Sequence, residues 1–120
     1  GAYPLGKFRE FISQNRDEAE ILYVVNFCRF LTHDPEEAEE ILREIERACG
    51  LSATGIVNNS NLGFETDSEI IVSGRAKAEK ISEITHLPLF CHTLPLIPSC
   101  DGIDRAGYYP LTVYIKNVWN

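Results

Sequence analysis

The run "EILYVVNF" at residues 20–27, with "HDPEEAEEILREIERACG" starting at His33, most narrows what this chain can become. A continuous apolar stretch rich in β-branched and aromatic residues reads as a strand buried on both faces, the habit of parallel sheets. The segment after it reads as a helix. Asp34 is its N-cap, Pro35 takes the first helical position, Glu37 closes a capping box and Gly50 lies past the end. Ala38, Ile41, Leu42, Ile45 and Ala48 form its buried stripe. Glu36, Glu37, Glu39 and Glu40 suit the positive end of the helix dipole, a structural reading that outweighs metal binding or catalysis.

The alternation continues along the chain. "TGIVNN" (54–59) reads as a strand, and a second helix is expected from Thr66, where TDSE forms a capping box, through Ile70, Ile71, Gly74, Ala78, Ile81 and Ile84 to His86. "LPLFCHTLPLI" is a third apolar run, and the more alternating "PLTVYI" (110–115) reads as an edge strand. Between them "PSCDGIDRAGYY" is a turn-rich loop whose Asp101, Asp104 and Arg105 are solvated. Ahead of everything, residues 4–16 place Leu5, Phe8, Phe11 and Ile12 near one side of a short amphipathic helix. The expected fold is α/β: a mostly parallel sheet of about four strands flanked by helices in three layers, with right-handed crossovers.

Composition sets the outer limits. At 120 residues and 44% hydrophobic content the chain suffices for one domain and not two. Eighteen acidic against eleven basic residues give a net charge of −7 and no basic stripe for nucleic acid. No stretch has the length and apolarity of a membrane span and no signal peptide is evident, so a soluble, cytoplasmic protein is expected. Cys28, Cys49, Cys91 and Cys100 show no paired spacing and read as free thiols. The sequence contains no methionine, which leads us to expect a longer gene product.

Ligands of open parallel sheets bind beyond the carboxyl ends of the strands, which directs attention to Asn26–Thr32, Asn58–Gly63 and His92–Pro98. Asn58 and Asn59 each carry an amide that both donates and accepts, the pairing a purine edge requires. The competing reading is that these two and Asn61 satisfy turn and cap backbone groups. Cys91, His92 and Cys100 lack a fourth ligand and any zinc spacing, so no metal is expected there. Cys91 and His92, adjacent on a strand, point to opposite faces and make a poor nucleophile pair. Tyr108, Tyr109 and Trp119 read as anchors of the last strand, with an exposed interaction patch as the alternative.

Taken together, "YVVNFCRFLTHDPEEAEEILREIE", "TGIVNNSNLGFET" and "LPLF" resemble the second half of ParA/MinD-like P-loop ATPases. The likeness runs over residues 1–96, with "GAYPLGKF" similar to the segment after the family's Walker B strand and "LTVYIKNVW" a weaker match to a terminal strand. It implies a partial P-loop NTPase fold and an ATP site in which Asn58 hydrogen-bonds adenine beside Asn59. It also implies that His92 and Thr93 flank the base, and that Asn26 and Arg29 face the phosphates or a partner subunit. The departure is that no GxxxxGK[ST] loop and no Walker B aspartate exist here; "VSGRAKAEK" lies in a helix and lacks the hydroxyl. The resemblance therefore implies the C-terminal portion of a larger nucleotide-binding domain, inactive alone, with ATP and magnesium bound only in the complete protein. Its expected partners are the missing N-terminal half or a second copy meeting at an exposed sheet edge. The alternative is a degenerate, non-catalytic α/β interaction module that binds no nucleotide.

Overall fold

The computed structural model describes residues 19–29 and 32–114; the helix expected over 4–16, and Trp119, lie outside them. The described chain runs β1 (Leu22–Val25), α1 (Pro35–Cys49), β2 (Gly55–Asn58), α2 (Ser68–Thr85), β3 (Leu89–Pro95) and β4 (Tyr108–Leu111). All three strand pairs are parallel, in the order β1-β2-β3-β4. This is the expected α/β class, an all-parallel four-stranded sheet with helices in a Rossmann-like arrangement. The described residues supply the sheet and one helical layer.

Two successive crossovers of one hand, each stepping one strand in the same direction, place both helices on the same face. Val25, Phe27 and Ile56 from that face pack with Ala38 of α1 and with Ala78 and Ile81 of α2. A second cluster joins Ile71, Leu94, Ile97 and Cys100. Tyr23 donates its hydroxyl to the Ala38 carbonyl at 3.0 Å, and burial pushes its phenol up to about 12. On the opposite face Leu22 and Val24 stay 40% and 58% exposed, so the described residues do not bury β1 on both faces as its apolar run suggested.

The helix signals were largely sound. Asp34 Oδ1 accepts from Glu37 N–H at 2.9 Å, and Gly50, at φ 70°, closes α1 by donating to the Glu46 carbonyl. The buried stripe is Ala38, Leu42 and Cys49, with Ile41 and Ile45 half-buried and Ala48 exposed. In α2 the cap is Asp67, one residue later than expected, its Oδ1 accepting from Ile70 N–H at 2.9 Å. Thr66 is instead fully buried; its hydroxyl accepts from Leu62 N–H and donates to the Gly63 carbonyl, closing the turn ahead of the helix. Among the described strands the last one is an edge strand as expected, but it begins at Tyr108 and not at Pro110.

Candidate functional site

The last residue of β2 and the three that follow it, Asn58-Asn59-Ser60-Asn61, organise the carboxyl end of the sheet by alternation. Extended residues i and i+2 share a face. Asn58 and Ser60 therefore turn toward the helices, and Asn59 and Asn61 toward the other face.

On the helical side a relay starts at a backbone donor. Phe27 N–H donates to Ser60 Oγ at 2.9 Å, so the Ser60 hydroxyl donates onward to Asn58 Oδ1 at 2.6 Å. Asn58 Nδ2 then donates to His92 Nδ1 at 2.9 Å, which assigns the neutral ring the tautomer protonated at Nε2. Asn58 and His92 are 3% and 6% exposed, and the sheet register sets them side by side. The His92 ring tilts against Tyr108 at 5.9 Å, and the Arg75 guanidinium lies 5.1 Å from the Tyr108 ring centre. Asn58, assigned to adenine by resemblance, thus has both amide atoms engaged within the fold.

The opposite side holds a second network. Asn59 Oδ1 accepts from Thr93 Oγ1 at 2.7 Å and from Asn61 Nδ2 at 2.9 Å, and Asn26 Nδ2 donates to the Asn61 carbonyl at 3.1 Å. Asn26 Oδ1 accepts from Cys28 N–H at 2.9 Å, and the Thr32 hydroxyl donates to the Asn26 carbonyl at 2.8 Å. These bonds tie the loop after β1 to the loop after β2. Among the predicted residues, Asn59, Thr93 and Asn26 come together here with exposed Arg29 nearby, while Asn58 and His92 pair on the far side of the sheet.

Among the described residues, clefts open at this end on both sides of the sheet's first strands. One, of about 270 Å³, lies between Phe27, Cys28 and Ser60 and the first turns of α2, with Asp67, Glu69 and Lys77 on its walls. Phe27, Cys28 and Ser60 fall in the stretches expected to bear a ligand, but none of the residues assigned to the nucleotide by resemblance lines it. Burial raises the Cys28 thiol above its ordinary range, with Lys77 opposing and Asp67 adding to the shift, so Cys28 is not an activated nucleophile. The other cleft, of about 300 Å³, sits against β1 and is lined by Val24, Ile41, Asn26, Arg29, Thr32 and Asn59 among others. Neither described α-helix offers a free N-terminus for phosphate, because Asp34 and Asp67 cap them and Glu36, Glu37 and Glu69 fill their first turns.

His33, Asp34 and Glu37 form an exposed group, with His33 Nδ1 3.1 Å from Glu37 Oε2 and Nε2 3.6 Å from Asp34 Oδ2. The two ring nitrogens face different carboxylates. All four cysteines are unpaired. Sequence reasoning missed Ser60, the link between Phe27 and Asn58, and Tyr108 as the wall behind His92. The alternation of the 58–61 stretch was the available signal for the first, but nothing local marks the second, since β4 reaches β3 only through tertiary pairing.

Comparison with protein-family models, curated proteins and solved structures gives no match for this chain. No helix among the described residues is long and apolar enough to cross a membrane.

Proposed function

We propose that this domain forms the base-side wall of an ATP-binding protein of the ParA/MinD-like kind, with phosphate and magnesium held by other parts of the complete protein. One observation carries the reading: Asn26, Arg29 and Asn59, from the ends of two adjacent parallel strands, line a single cleft. Its volume of about 300 Å³ is at the small end for a ligand pocket and suits a base and sugar better than a whole nucleoside triphosphate. The carboxylate-capped helices fit no phosphate, so no hydrolytic step is assigned to the residues described. Titration of the full chain with a fluorescent ATP analogue tests this. Binding that Asn59→Ala weakens by about tenfold, one net hydrogen bond, supports the reading. Failure of the protein, isolated at its native length, to bind ATP would sink it.

A second reading has its own observation. Leu22, Val24, Phe90 and Tyr109 are 40%, 58%, 43% and 62% exposed on the strands, an apolar display suited to an interaction module. A protein of native length that binds no nucleotide but associates through this face would favour it.

A further inference from the structure

The hydrogen-bond directions around Asn59 can be fixed because they begin at a backbone amide. Gly63 N–H only donates, so the Asn61 side-chain atom 3.0 Å away is oxygen. Asn61 Nδ2 must then be the atom that donates to Asn59 Oδ1 at 2.9 Å. The Thr93 hydroxyl, 2.7 Å from the same oxygen, donates too. Asn59 Oδ1 accordingly has both lone pairs engaged, and its Nδ2 is left with two N–H groups and no partner among the described residues. It is not a buried orphan, since every buried side-chain nitrogen and oxygen described has a partner. Asn59 lines the cleft beside β1, so these donors are available to a ligand there.

The neighbouring polar groups narrow the ligand further. Asn26 uses its Nδ2 on the Asn61 carbonyl and its Oδ1 on Cys28 N–H. Arg29 is exposed, has no ion pair among the described residues, and can only donate. Val24 and Ile41 supply apolar wall. The geometry points to Asn59 as the specificity-determining residue of this cleft, selecting a planar, negatively charged ligand by acceptors on its edge, such as purine ring nitrogens, and not by an exocyclic amino donor. The inference rests on the ATP reading and sharpens it: adenine is read as an acceptor-bearing purine, and its amino group is not read by Asn59.

The test is an NMR titration of the ¹⁵N-labelled full chain with ATP and with purine riboside triphosphate, which lacks the amino group. The Asn59 side-chain NH₂ signals move with both, and the two affinities agree within about twofold, because no hydrogen bond distinguishes them. Asn59→Asp, which replaces donors by acceptors, weakens both by about tenfold or more. Thr93→Val leaves signal dispersion intact and frees one lone pair of Asn59 Oδ1 to accept from the exocyclic amino group, so a preference for ATP over the amino-free analogue emerges. If ATP binds with the Asn59 amide unmoved, or binds about tenfold tighter than purine riboside triphosphate, the donor assignment falls while the ATP reading stands. If neither nucleotide moves any signal of the protein at its native length up to roughly 10 mM, both fall together.

Discussion

His92 is where one proton has the widest structural consequence. Burial pushes its imidazole below the ordinary range and the Arg75 guanidinium on α2 adds to this, while Glu79 opposes it. Protonation would place an N–H at Nδ1 facing the Asn58 Nδ2 donor. Asn58 cannot simply turn its amide, because Oδ1 holds the Ser60 hydroxyl, which in turn holds Phe27 N–H. A depressed folded-state pKa means that the unfolded chain binds the proton first. His92 therefore contributes stability above its unfolded value of about 6.5, and that contribution is lost as the pH falls toward the lower folded value. Urea unfolding at neutral and mildly acid pH should show this loss, and His92→Gln, whose amide oxygen accepts but does not titrate, should flatten it. An unchanged slope in His92→Gln would place the acid sensitivity elsewhere. The asparagines were legible as the candidate site's polar centre, but their chemistry was not: relays that begin at backbone donors, Phe27 N–H through Ser60 for Asn58 and Gly63 N–H through Asn61 for Asn59, fix which way each amide turns.

At the scale of elements, local chemistry decides most of the outcome and tertiary packing the rest. The capping signals of α1 were readable because Asp34, Pro35 and Gly50 act through backbone groups within their own turns. The start of α2 was misplaced by one residue because both Thr66 and Asp67 are capable caps, and burial under Ser99 and Cys100, which approach the Thr66 carbonyl at 2.5 and 3.8 Å, draws Thr66 into the preceding turn. Asp67→Ala is expected to cost about 1 kcal/mol in chemical denaturation, the usual value of an N-cap. Gly74 tests the packing of the same helix. Alanine in a helix interior is ordinarily favoured over glycine by about 1 kcal/mol. Here a Cβ at position 74 would meet Ser60 Cβ at 2.7 Å, and Ser60 is pinned by bonds to Phe27 N–H and Asn58. Overpacking against so constrained a neighbour costs about 1–3 kcal/mol, so the clash wins and Gly74→Ala lowers the melting temperature. A rise would mean that the strand end yields more easily than its hydrogen bonds suggest.

For the whole molecule, the strand types were readable from apolar runs, but the order was not, since nothing in a single strand says which neighbour it takes. Among the described strands the observed order leaves β1 and β4 at the edges, and the two edges differ. Ile21 and Val25 turn their carbonyls to β2, accepting from Thr54 and Asn59 N–H, so by alternation the backbone groups of Leu22 and Val24 face outward. That edge carries neither proline nor charge within the strand, whereas β4 contains Pro110, which has no N–H to offer a pairing chain. Any edge-to-edge association among the described strands should therefore run through β1. The net charge of −7 opposes it at long range, so raising salt toward 0.5 M, where the screening length falls to a few ångströms, should promote it. Sedimentation equilibrium of the full chain is expected to show association that strengthens with salt and that Val24→Lys abolishes. Because Val24 is 58% exposed, the same substitution should leave the unfolding free energy within about 0.5 kcal/mol of the parent. Association that survives Val24→Lys but is lost on substituting Tyr109 would move the contact from the β1 edge to the β4 side of the open face.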